Sequence, residues 1–261
     1  MGMERSGWLK CLADDYQRLR SAATTDLTAQ VPSCPDWTAA DLVRHVGEVY
    51  LHKAAAIRQG ERPDPWPPAG LESEEPIALL DRAYGELTDQ IAQRGDDEPT
   101  WTWHEPDQTV RFWIRRMAQE TVIHRIDAEL AIGAPVAPIP DDLAVDGIDE
   151  VLKLFVAYGS HTWREEFEPD LASAKGRTVA VKLDGGPAWL VRTDPDGVTV
   201  TGPSPTTPSS DATVSGDPVA VLRWLWARES APTADAQSPV RVDGDEEALA
   251  EVRRLLATAT Q

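Results

Sequence analysis

The sequence is poor in cysteine, in lysine and in long apolar runs, and each shortage excludes a class of protein. Two cysteines in 261 residues, Cys11 and Cys34, cannot build a disulfide framework. They also lack the paired spacing of a thiolate zinc site, so they read as small buried or half-buried side chains. No apolar run approaches the roughly 20 residues that span a bilayer. The first residues, Met1 to Trp8, lack the apolar stretch of a signal peptide. The expectation is a soluble cytoplasmic protein with no membrane partner. Arginine carries most of the positive charge, and acidic residues outnumber both cation types, giving a net charge of −19 and a pI near 4.6. Such a surface repels phosphate backbones and makes nucleic acid a poor partner. Also missing are the dinucleotide glycine fingerprint, the P-loop, His-Glu-x-x-His and the Gly-x-Ser-x-Gly elbow. Plentiful Ala, Pro, Asp and Gly suggest GC-rich coding, as in many actinobacteria.

What is present is ordinary globular composition, 41% hydrophobic and 26% charged. The length suits two modest domains. Apolar residues recur at helical spacing over about 8–23, 39–59, 77–94 and 110–132. A turn-rich connection with Pro32 and Pro35 joins the first two helices, and a proline-rich loop at 61–76 joins the next two. Thr38 to Asp41 is a capping box that starts the second helix, with Trp37 as a hydrophobic staple and Gly60 as the stop. Four helices make an all-α first half, residues 1–138, with three prolines at 135–140 marking the boundary. The second half, residues 139–261, reads as α+β. A helix over 141–158 is followed by strands at 177–183, 188–193, 198–200 and 212–215. A helix over 218–228, a strand at 240–242 and a closing helix over 246–259 complete it.

One helical turn stands out chemically. Glu120 and His124 are four residues apart, so they share one helix face and make half of a metal site. Catalytic zinc sites keep three protein ligands and an open fourth position, commonly two histidines and a glutamate. His45, on the second helix, is the candidate third ligand. His52, seven residues later and nearly on the same face, competes for that place or joins it. Asp127, three residues after His124, is placed to hold the free nitrogen of that ring. The loop residues Trp66, Trp101 and Trp103 fall near helix ends, where indoles can line the mouth of a pocket.

Three stretches resemble the mycothiol-dependent maleylpyruvate isomerase family, whose N-terminal half belongs to the DinB-like metal-binding four-helix bundles. They are the Pro35-Asp36-Trp37 segment leading to His45, the run from Glu120 to Ala128, and Leu222-Arg223-Trp224-Leu225-Trp226-Ala227-Arg228. The resemblance implies an α+β protein: a DinB-like bundle over 1–138, then the smaller C-terminal domain of the family over 139–261. It also implies zinc, or another divalent metal, on His45, Glu120 and His124, and mycothiol as the thiol cosubstrate. Arg228 sits where the family places a functional arginine, with Arg223 as the fallback. Ala227 departs from the glycine that the family often has there. The implied chemistry is thiol-assisted cis–trans isomerisation of a maleylpyruvate-like substrate or S-transfer to an electrophile, with small-molecule partners; the sequence leaves oligomeric state open, with a monomer as the default expectation. The alternatives are a metal-binding protein without turnover and a DinB-like zinc hydrolase that uses no thiol.

Overall fold

A computed structural model describes residues 2–229 and 238–260. The described chain divides into two compact units, Met1–Pro138 and Ile139–Gln261. The first is helical. Helix α1 spans Arg5–Thr25, α2 Ala39–Gln59, α3 Pro76–Ala92 and α4 Val110–Ala131. Helix α2 packs on α3 and on α4, and α1 packs on α4. The capping box of α2 forms as its sequence requires: Thr38 Oγ1 accepts from the Asp41 backbone at 3.3 Å, and Asp41 Oδ2 accepts from the Thr38 backbone at 2.9 Å. Gly60 ends α2 in the left-handed region, at φ 76°. Where α2 meets α3, Gly47 leaves no room for a side chain. A Cβ there would lie 3.0 Å from Leu79 Cγ and 3.4 Å from the Leu80 backbone. The core is built from Leu42, Val43, Val46 and Tyr50 of α2, Leu79, Leu80 and Leu87 of α3, and Trp113, Ile114 and Met117 of α4.

The connection between α1 and α2 differs from expectation. It contains an antiparallel pair, β1 Gln30–Val31 and β2 Cys34–Thr38, where only turns were anticipated. Proline is tolerated there because an edge strand can spare one ladder N–H. Trp37 packs against the His45 ring, with ring centroids 4.9 Å apart. Neither cysteine is in a disulfide, and both are half-buried.

The second unit begins with α5, Asp141–Glu150, which runs on through a π-helical stretch, Val151–Tyr158, into α6, Gly159–Thr162. A further helix, α7 Arg164–Leu171, carries Pro169 within it and had no counterpart in the sequence reading. The strands are β3 Arg177–Leu183, β4 Ala188–Asp194, β5 Gly197–Ser204, β6 Ala212–Gly216 and β7 Val240–Gly244. They form one sheet in the order β5-β4-β3-β6-β7, antiparallel except for the β3–β6 pair. Helices α8, Pro218–Leu225, and α9, Glu246–Ala259, complete it. Helix α8 stops three residues short of its expected end because Ala227 turns left-handed, at φ 57°. The fold is thus a helical bundle followed by an α+β unit. Among the described residues no helix is long and apolar enough to cross a membrane.

Candidate metal centre

Helix α4 presents Glu120 and His124 one turn apart, and α2, packed against it, presents His45. The ligand atoms of these three residues all lie within 4.8 Å of one another. Glu120 Oε1 lies 3.4 Å from His45 Nε2 and 3.3 Å from His124 Nε2. Those separations can be compared with a tetrahedral site. Donors about 2.0–2.1 Å from a central zinc stand about 3.3–3.4 Å apart along each edge of the tetrahedron. The separations of the carboxylate oxygen from both ring nitrogens therefore match the edges of such a site. The His45 side chain is 37% exposed and that of Glu120 15%, so the centre opens to solvent on the α2 side.

Neighbouring groups set the charge and aim of each donor. The second oxygen of Glu120, Oε2, accepts from Arg116 one turn earlier, which leaves Oε1 facing the histidines. Burial pushes the Glu120 carboxyl up, but Arg116 and the two histidines outweigh it and hold it well below the ordinary range. His124 Nδ1 lies 3.0 Å from Asp127 Oδ2, and Asp127 Oδ1 accepts from the Ser33 hydroxyl. Asp127 thus holds the proton on Nδ1 and aims Nε2 toward Glu120 and the centre. Burial pulls His124 down, yet Glu120 and Asp127 raise it to about 9.

Of the residues singled out in the sequence, His45, Glu120, His124 and Asp127 come together. His52 does not join them. Its ring lies 4.9 Å from that of Trp66 and 5.8 Å from that of Trp101. Burial, then Lys53 and Arg62, lower it to about 4. Trp103 packs on Phe112, with ring centroids 5.1 Å apart. Two partners escaped the sequence reading. Arg116 stands in the same four-residue spacing to Glu120 that singled out His124, so the rule that found one could have found the other. Ser33 reaches Asp127 only because residues 30–38 fold back as a hairpin, and no local pattern announces that.

In the second unit, Arg228 is buried just beyond α8. Its Nη1 donates to the Trp226 carbonyl at 2.5 Å and its backbone to the Arg223 carbonyl at 2.7 Å. Arg223 donates to the Arg228 carbonyl at 2.9 Å and pairs with Glu229 at 3.0 Å. The left-handed Ala227 between them occupies the conformation that glycine adopts without strain.

Residues 9–129 match the family described as the mycothiol maleylpyruvate isomerase N-terminal domain, and residues 142–251 match that family's C-terminal domain. The chain belongs to that family. Two similar solved structures are described as the mycothiol-dependent maleylpyruvate isomerase, one of them a mutant. The first has a TM-score of 0.59 at 14% identity, covering 93% of this chain and 95% of that one. The mutant has a TM-score of 0.58 at 13% identity, covering 87% and 91%. At such identity the likeness shows the fold. Among curated proteins, none matches the chain.

Proposed function

We propose that this family member is a metal-dependent isomerase that uses mycothiol to convert a maleylpyruvate-like substrate from cis to trans. The observation that carries the reading is the convergence of Glu120 Oε1 with the two histidine Nε2 atoms at tetrahedral-edge separations, beside an opening to solvent. His45, Glu120 and His124 are the residues that would hold zinc. When bound, the metal would keep a thiol deprotonated near neutral pH, and a thiolate that adds to and later leaves a conjugated double bond lets that bond turn as a single one.

The chain's own groups do the rest. Glu120 brings one negative charge to an otherwise neutral donor set, so a divalent ion keeps net positive charge toward a further ligand. Arg116 holds Glu120 Oε2 and thereby stops the carboxylate from rotating away. Asp127, steadied by Ser33, keeps His124 in the tautomer that offers a lone pair. Arg228 takes the carboxylate-holding role that the family resemblance gives it, one suited to a planar guanidinium.

Metal analysis of protein purified without added metal is the first test. About one zinc per chain, lost in His124→Ala, is expected; no bound metal, or metal unchanged in that variant, overturns the centre. Turnover of maleylpyruvate only with mycothiol present supports the reaction. Conjugation of electrophiles without isomerisation would replace it with S-transfer, and thiol-independent hydrolysis would replace it with hydrolase chemistry. An Arg228→Lys variant with unchanged kcat/KM removes the role of that arginine.

A further inference from the structure

Seven and eight residues beyond His45 on α2 stand His52 and Lys53, about 10–12 Å further along the helix at 1.5 Å per residue. Three indoles wall the space around them. Trp113 of α4 lies with its ring 4.7 Å from Lys53 Nζ. Trp66 reaches in from the proline-rich loop, with its ring 4.9 Å from that of His52. Trp101 comes from the loop before α4, 5.8 Å from the His52 ring and 6.2 Å from that of Trp113. Trp113 Nε1 donates to the Trp101 carbonyl at 2.8 Å, which ties the loop to the helix. The Arg62 guanidinium lies 6.0 Å from the Trp101 ring.

Lys53 makes no ion pair with a described residue, and the carboxylate that acts on it, Glu120, does so from beyond pairing distance. Among the described residues its ammonium meets His52 Nδ1 at 3.3 Å and the Trp113 face, and no carboxylate within ion-pairing distance. The ammonium donates to that ring nitrogen, so the other nitrogen of neutral His52 is an N–H donor. Lys53 and His52 thus present donors beside flat apolar faces. Desolvating an ammonium without a partner is costly, and a wall of the bundle would be better served by an apolar side chain. Lys53 is moreover one of only five lysines in a chain of net charge −19. An anion with a flat body would complete what the chain leaves open, through charge-assisted hydrogen bonds at one end and indole faces along the other.

We propose that Lys53 and the walls formed by Trp66, Trp101 and Trp113 are a carboxylate subsite, which receives the acidic end of an unsaturated substrate whose reacting carbon lies at the His45–Glu120–His124 centre. The assignment rests on the reading of that centre given above. Lys53 binds and selects; it takes no part in bond making.

The test follows quenching of tryptophan fluorescence as wild type, Lys53→Met and Lys53→Arg are titrated with cis,cis-muconate, a flat unsaturated diacid, and with its dimethyl ester. The diacid is expected to quench wild type. Its affinity falls about tenfold or more in Lys53→Met and stays within about threefold in Lys53→Arg, and the ester fails to bind any of them. Diacid affinity unchanged in Lys53→Met, or ester binding as tight as the diacid, overturns the proposal. Should Lys53→Met fail to fold, the ester set against the diacid on wild type reads the same requirement for charge. Absence of thiol-dependent turnover would overturn the proposed reaction and leave these titrations untouched.

Discussion

Helix α4 carries two buried ionic clusters on different faces, and they end differently. On the face toward α1, Arg125 is fully buried. It donates from Nε to Asp15 at 3.1 Å, and from Nη1 to Glu129 and to the Ala137 carbonyl at 2.8 Å each. Glu129 also accepts from the Ala137 backbone at 3.0 Å. That cluster pairs both carboxylates with Arg125 and ties α1, α4 and the segment after α4 together, with Arg125 Nη2 left without a hydrogen-bond partner. On the face toward α2, Arg116, Glu120, His124 and Asp127 form a chain of contacts that stops at three donor atoms converging beside solvent. The lesson is that buried charge by itself does not mark a site. What separates the two faces is whether the chain's own groups complete the geometry. Around Arg125 opposite charges and a carbonyl meet most of the donors; at Glu120 a carboxylate oxygen and two ring nitrogens face one point beside solvent, an arrangement that suits a cation.

Breaking the Arg125 cluster has the largest expected effect. Arg125→Ala leaves Asp15 and Glu129 buried beside each other, so stability falls by about 3–5 kcal/mol in a denaturant titration, while the protein that remains folded keeps its full metal content. A loss below about 1 kcal/mol would mean that the cluster is not the structural member of the pair. The Glu120 cluster responds the other way. Asp127→Ala frees the His124 ring and lowers metal affinity by about 10–100-fold against a competing chelator, with the metal-binding stoichiometry kept. Unchanged affinity would show that His124 is oriented without Asp127.

Lys53 sharpens the comparison, because it belongs to neither kind. Burial lowers its ammonium to about 8, with Glu120 raising it and Arg116 lowering it. The sign follows from linkage. A base whose folded value lies below its unfolded value of 10.5 releases a proton on folding between about pH 8 and 10.5, so wild type gains stability as pH rises through that window. Below pH 8 the chain carries the whole cost of charging Lys53. Lys53→Met is therefore expected to raise stability by about 1–2 kcal/mol at pH 7, discounted for the partial exposure of the side chain, with the gap closing by pH 10.5. A cation with a structural role would give the opposite sign, and a destabilised Lys53→Met at pH 7 would assign it that role.

Local chemistry made much of this legible in the chain. Thr38 and Asp41 announce the start of α2 because a capping box is complete within four residues. The alternation in 177–183 and the Asp-Gly turns around it announce the sheet for the same reason. Glu120 and His124 are readable because one helix turn brings them together. What stayed hidden depends on segments meeting. The hairpin at 30–38 was masked by two prolines that read as breakers, and with it the bond from Ser33 to Asp127. The apolar run from Val151 to Val156 has no periodicity that separates a π-helix from an α-helix, so the change of pitch at Val151 left no trace. The space around Lys53 is assembled from two helices and two loops. The indoles at Trp66 and Trp101 read as residues near a pocket mouth, but nothing in the sequence says that they meet His52 beside a lysine.

The smallest effect is expected in the second unit, at the turn that carries Arg228. Ala227 holds a left-handed φ of 57°, which costs an alanine about 1–2 kcal/mol relative to glycine. Glycine would relieve that strain but lose about 0.5–1 kcal/mol to its greater freedom in the unfolded chain. Ala227→Gly is thus expected to stabilise by about 1 kcal/mol or less in thermal or denaturant unfolding. The bonds that Arg228 makes to the Trp226 and Arg223 carbonyls lie within the turn, one from its guanidinium and one from its backbone. If that local geometry is all that positions Arg228, the glycine variant keeps kcat/KM while gaining stability. Should activity change with stability held, the turn at Ala227 does more than hold Arg228 in place.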